Sequence, residues 1–136
     1  MVRVEPPGSV VAPDADTAEL ARLGASGHGV WVRGPAVEEL AAARQRALAA
    51  GIDADRVVLE PPLHLLGDPS LRGASLGWDA DHHGARPGGA LEALVVLAVT
   101  GGVAVIRAGH PEVARRAADV ALALMAEQER AGAPAP

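Results

Sequence analysis

The stretch that most constrains the fold runs from Arg44 to Pro62, RQRALAAGIDADRVVLEPP: the end of a helix, a tight connection, and a short strand closed by a carboxylate. Gly51 ends the helix where a left-handed residue costs least, and DAD supplies the turn. Val57, Val58 and Leu59 then form the unbroken apolar run that a strand covered on both faces requires. Glu60 stands at the C-terminal end of this strand, before Pro61 and Pro62. In a parallel α/β sheet that end is where ligands are met, so Glu60 is a candidate site residue on architecture alone. The plainer alternative is a solvated strand-end charge.

The same alternation of strand and helix recurs along the chain. Val2 to Glu5 reads as a strand stopped by Pro6, Pro7 and Gly8, after which SVVAP is an irregular connection. Asp16 opens a helix, with Glu19 completing a capping pattern and Ala18, Leu20, Ala21 and Leu23 as its apolar face. GVWVRG, residues 29–34, is the second strand. A helix from Pro35 to Ala50 follows, with Val37, Leu40, Ala41, Arg44 and Leu48 at spacings of three and four.

The third strand, Arg56 to Glu60, leads into PPLHLLGDPSLRG, whose Pro and Gly argue against regular structure and whose Leu63, Leu65 and Leu66 can plug the sheet. GASLGW, residues 73–78, is the weakest strand because of Gly73 and Gly77. A helix from Gly88 to Thr100 buries Leu91, Leu94, Val95 and Ala98, and Val103 to Arg107 forms the fifth strand. Pro111 opens a last helix to about Arg130, with Val113, Ala117, Val120, Ala121 and Leu124 on one face. Residues 1–130 thus predict a single α/β domain, and residues 131–136, AGAPAP, a mobile tail. Whether its parallel strands curl as part of a barrel or lie open as a flavodoxin-like sheet is left undecided by the pattern.

Composition narrows the function classes. The chain has 136 residues, 49% of them hydrophobic but 1% aromatic, so the core must be built from Val, Leu, Ile and Ala. A net charge of −5 offers no basic surface for phosphates, and Trp31 and Trp78 are too few for a base-stacking platform, which sets nucleic acid aside. With no cysteine there are no disulfides and no thiolate chemistry, a fit to a reducing cytoplasm. The longest apolar stretch, Ala90 to Val99, is interrupted by Glu92 and too short for a bilayer, so no membrane role is expected.

Taken in order, these motifs resemble the C-terminal five strand-helix units of dihydropteroate synthase, a pterin-binding (β/α)₈ barrel. GIDADRVVLEPPLHLLGDPS is similar to that family's sixth strand, where a Gly-Ile turn, an acidic-Arg pair and apolar residues precede Asp-Pro-Gly. AVIRAGHPEVARRAADVALAL is similar to its eighth strand and final helix, which carry an Arg-Val-His-Asp-Val motif. GVWVRGP resembles the fifth strand, and residues 1–27 the fourth strand and its helix, so the likeness spans roughly residues 1–125. The family's first three strands have no counterpart.

What the resemblance implies is a partial TIM-barrel-like unit that binds a pterin in folate metabolism. Glu60 falls where the family's pterin-binding Asp lies, and Arg107 matches the Arg of the eighth-strand motif, which contacts the diphosphate or product side of the site. The His of that motif aligns with Gly109, and His110 comes one residue later. The family's Ser-Arg-Lys falls on Asp79, Ala80 and Asp81, so acids replace the cations that would hold a leaving diphosphate. Glu60, Arg107 and His110 are therefore the expected ligand-binding set, with no cofactor. Arg107 is otherwise read as the partner of an acid such as Glu60. A transferase incomplete by itself, acting with a separately encoded partner chain or as a non-catalytic homologue, follows, and so does an oligomer, homodimer or complex, that covers exposed sheet edges.

A second constellation competes. In WDADHHG, Asp79, Asp81, His82 and His83 are ligand types for Mn or Zn, and Asp-His-His superficially resembles the signature of a phosphoesterase family whose further Asp-rich motifs are missing here. The bland reading is a solvated polar loop. His28 and His64 are isolated and carry no role.

Overall fold

Each apolar run becomes a strand: β1 (Arg3–Glu5), β2 (Val30–Arg33), β3 (Val57–Glu60), β4 (Ser75–Asp79) and β5 (Val105–Arg107). The helices are α1 (Thr17–Ala25), α2 (Val37–Ala49), α3 (Ala90–Thr100) and α4 (Pro111–Gly132). The computed structural model describes residues 1–27 and 29–132; His28 and residues 133–136 of the expected tail lie outside them. Ala131 and Gly132, placed in that tail by sequence, continue α4.

All strand pairings are parallel, in the order β1-β5-β4-β3-β2. From β2 to β5 the strands lie side by side in chain order. A flavodoxin-like sheet instead reverses its order at a switch point, so that alternative is set aside and the sheet is a barrel segment that does not close. Successive right-handed crossovers in one direction send every helix to the same face. Residues of all four helices, among them Leu20, Leu40, Val95 and Ala114, pack with Val32, Leu59, Leu76 and Ile106 in one core. The alternate strand residues Trp31, Val58 and Val105 form a second, smaller cluster on the concave face.

β1 departs from the place that the resemblance implies. A fourth strand of the family would lie beside β2, yet β1 pairs with β5, where Arg3 N–H donates to the Ala104 carbonyl and Ala108 N–H to that of Glu5. The neighbour of β2 is instead Val11, whose N–H donates to the Trp31 carbonyl and whose carbonyl accepts from Arg33 N–H. Residues 6–10 therefore link one edge of the sheet to the other. The reason lies in α4: Arg115 donates to the Val2 carbonyl at 2.8 Å and fastens β1 beside the last unit.

Helix faces also shift from their expected positions. Asp16 caps α1 as predicted, accepting from Glu19 N–H at 2.8 Å, but Leu20 is its buried residue while Ala18 and Ala21 are exposed. In α2 the buried positions are Val37, Leu40, Ala43 and Ala47 rather than Ala41 and Arg44. In α4 they are Ala114, Ala117, Ala118 and Ala121, with Val120 and Leu124 turned outward. Alanines let α4 approach α3 closely, and the larger residues cannot follow. Between β3 and β4 no helix forms; two short 3₁₀ turns, Leu63–Leu65 and Pro69–Leu71, bring Leu66 and Leu71 into the core.

Gly77, which weakened the sequence case for β4, is what the concave face demands. A Cβ there would collide with the Trp31 indole and lie 2.6 Å from Val58 Cγ1, so the missing side chain makes room for a tryptophan reaching over from β2. Overpacking of this kind costs about 2 kcal/mol. Gly77→Ala should lower the urea midpoint accordingly, whereas Gly67→Ala, with nothing within 4 Å of the added carbon, should leave it nearly unchanged.

Candidate functional site

The pleat decides which side chains face the concave side. On β2 these are Trp31 and Arg33, on β3 Val58 and Glu60, on β4 Gly77 and Asp79, and on β5 Val105 and Arg107. Register sets Arg33 directly opposite Glu60, and Asp79 opposite Arg107.

Glu60 is only 2% exposed, so the solvated alternative fails, and its carboxylate is surrounded by donors. Oε1 accepts from Trp31 Nε1 and from Arg33 Nε, each at 2.8 Å. Oε2 accepts from Asp79 N–H at 3.0 Å and lies 3.2 Å from His83 Nε2. Arg33 continues the network, its Nη2 donating to Asp79 Oδ2 at 2.9 Å. Two buried acids thus share one guanidinium, with the His83 ring as lid, stacked on Trp78 at 5.4 Å between centroids. Above them a cavity of about 390 Å³ opens at the C-terminal ends of β2 and β3, lined by Arg33, Glu60, Pro61, Pro62, His82 and His83.

Arg107 does not join Glu60. Its guanidinium lies over the Trp31 ring, 4.0 Å from the centroid, Nη1 donates to the Ser9 carbonyl at 2.9 Å, and the acid beside it is Glu5, at 3.6 Å. It lines a different cavity, so the expected convergence of Glu60 and Arg107 on one ligand is corrected: the indole face and the Ser9 carbonyl draw the side chain toward the seam between β1 and β2. His110 is exposed at the start of α4 and borders a third, smaller cavity of about 200 Å³ with Asp81 and Arg86.

The Asp-His-His cluster disperses as well. Asp79 faces Arg33, Asp81 Oδ1 accepts from Gly109 N–H at 3.0 Å, and the two histidine rings meet edge to face. Among the described residues no group of three or more His, Cys, Asp or Glu converges as a metal would need, and the phosphoesterase reading is dropped. What the sequence reading missed is Arg33 and Trp31 as the partners of Glu60. Their alternation in VWVR was available, but the register that brings them to the carboxylate was not.

Removing one member of a buried ion network leaves the others uncompensated, at about 3 kcal/mol. Arg33→Met should therefore unfold at a clearly lower urea concentration, and Arg33→Lys, which keeps the charge but not the two-pronged reach, should recover only part of the loss.

No family model and no curated protein matches this chain. Solved structures do. A dihydropteroate synthase of Coxiella burnetii in complex with pteroic acid is 21% identical at a TM-score of 0.57, covering 77% of this chain and 55% of its own. That of Yersinia pestis with a pterin–sulfa conjugate is 15% identical at 0.62, covering 84% and 58%, and a dihydropteroate synthetase with product is 15% identical at 0.62, covering 88% and 64%. The chain spans between 55% and 64% of the length of these structures. At such identities the likeness speaks for architecture: this chain has the fold of part of the dihydropteroate synthase barrel.

Proposed function

We propose that this chain is a dihydropteroate synthase-like domain of folate metabolism that binds a pterin in the cavity above Glu60 and does not form dihydropteroate by itself. The observation that supports it is the buried carboxylate at the C-terminal end of β3, where the family resemblance puts the pterin-binding acid, on the floor of a cavity of about 390 Å³. A pterin presents two neighbouring N–H donors on its amino-pyrimidine edge, and a carboxylate accepts such a pair well. Of the four donors now on Glu60, His83 is the one a ligand can displace, since its side chain is 38% exposed and its contact, at 3.2 Å, is the longest.

Catalysis asks for more. Displacing diphosphate requires cations or amides at the departing charge. The chain has no lysine, and at the positions where the family has its cationic loop Asp79 and Asp81 are held by Arg33 and Gly109. Trp31 donates to Glu60 and Trp78 stacks on His83, so both indoles report on the cavity. Titration with a pterin should quench fluorescence saturably, and Glu60→Gln should abolish the quench. Incubation with the pterin diphosphate and p-aminobenzoate should give no product. An unresponsive wild type would remove the pterin reading, and turnover would remove the catalytic one.

We further read the chain as a homodimer in the cytoplasm. The concave face is filled by its own Trp31, Val58 and Val105, which leaves a separate chain little to complete. α3 carries Glu92 as its one charge, and a helix apolar all round belongs under cover. Leu97, Val120 and Leu124 are 59%, 54% and 50% exposed around an α3–α4 groove of about 530 Å³ flanked by Glu92 and Arg116. An acid and a base on one patch suit a two-fold interface, where each faces the other's copy. Sedimentation at micromolar concentration should give a dimer, and Leu97→Glu a folded monomer; a monomeric wild type would exclude it.

A further inference from the structure

Every acceptor position on Glu60 is taken in this structure. A carboxylate offers about four lone pairs, shared equally between its oxygens. Trp31 Nε1 and Arg33 Nε fill those of Oε1, and Asp79 N–H and His83 Nε2 fill those of Oε2. A ligand entering the cavity therefore meets a saturated acid and gains nothing from it until a donor leaves. Trp31 is 2% exposed, Asp79 N–H belongs to β4, and Arg33 is held from its other side by Asp79 Oδ2, so none of these three is free to go.

His83 sits at the tip of the loop that follows β4. Ala80 and Ala85 are buried and clamp the base of that tip: Ala80 N–H donates to the Arg107 carbonyl at 2.8 Å, and Ala85 N–H to the Ala80 carbonyl at 3.0 Å. The residues between them, Asp81 to Gly84, are exposed. Asp81 adds its tie to Gly109, and residue 109 has to be a glycine for it, because a Cβ there would lie 2.8 Å from Asp81 Oδ2. The base is thus fixed, and the tip is the part that can swing. The His83 ring is what brings the tip down, stacked on Trp78 at an interplanar angle of 9° with Nε2 turned to Glu60. The carboxylate only accepts, so Nε2 carries the proton in this contact. One stacked ring with one hydrogen bond, 38% exposed, is held firmly enough to stay closed most of the time and loosely enough for a ligand to displace.

We infer that His83 is an autoinhibitory latch: it occupies the place on Glu60 that a ligand has to take, so the cavity is shut by the protein's own side chain and opens when the tip swings outward. This rests on the reading of the Glu60 cavity as the ligand site. It gives His83 a role opposite to that of a ligand-binding residue, since removing the ring strengthens binding. The measured dissociation constant is the intrinsic one divided by the fraction of molecules with the latch open.

Calorimetric titration with a pterin compares the wild type with His83→Ala, which removes the latch, and with His83→Gln, whose amide nitrogen restores a donor. His83→Ala should bind more tightly by about fivefold or more, and His83→Gln should return toward the wild-type value. Asp81→Ala keeps the ring but unties the tip from Gly109, and should fall between the two. Equal or weaker binding by His83→Ala overturns the latch and leaves the pterin reading standing. A readout without ligand separates the two ideas: solvent exchange of the Asp79 amide and the Trp31 indole N–H, both donated to Glu60, followed by NMR. Both should exchange about fivefold faster in His83→Ala than in the wild type or His83→Gln, and unchanged rates overturn the latch. If no variant binds a pterin, the pterin reading falls and the exchange rates decide the latch by themselves.

Discussion

A carboxylate sealed inside a sheet persists only if donors surround it, and the concave face of this protein is arranged around meeting that demand at Glu60. The donors come from three sources at once: an indole and a guanidinium on β2, a backbone amide at the end of β4, and a histidine from the loop beyond. Each can reach only if β2, β3 and β4 are in register and the sheet is curled. The network contributes specificity more than stability, since sliding a strand by one residue would turn the charge into the helix-packed core. Gly77 is part of the same requirement, because Trp31 can direct its Nε1 to Glu60 only if nothing projects from β4 beneath the ring.

Much of this was legible in the sequence for local reasons. Val57-Val58-Leu59 is an unbroken apolar run, Asp16 and Gly51 mark helix ends, and Glu60 follows a strand directly, so strands, helices and the place of the acid could be read from neighbours a few residues apart. What could not be read depends on residues far apart. Arg33 meets Glu60 through a register that no local pattern encodes, and Arg107 turns to Trp31 because the ring happens to lie beneath it. Nor do periodicities decide between two helix faces that are both apolar. In α4 the alanine face won over the one bearing Val120 and Leu124 because close approach to α3 required small residues.

The segment Asp79–His83 illustrates how composition overstates chemistry. Two acids and two histidines within five residues look like a ligand set, but the backbone sends them to different tasks. Asp79 closes the charge network, Asp81 ties the β5–α4 turn through Gly109, His83 folds back over Glu60, and His82 stands beside it. Spacing in sequence is no guarantee of convergence in space.

β1 comes before every other strand in the order of the chain, yet among the described residues the strand it pairs with is β5, the last, and its carbonyl anchor comes from α4. β1 precedes β5 in the chain, so it finds its place only once the last unit is present. Until then β5 is the one interior strand with an uncovered edge, and the N-terminal arm is an unplaced strand able to pair with a neighbouring molecule. Of the strand pairings, that of β1 with β5 spans the longest stretch of chain and carries the largest loop-closure cost. The Pro6-Pro7 pair, by stiffening the link between β1 and Val11, restricts how far that arm can wander before β1 meets β5 and so lowers this cost.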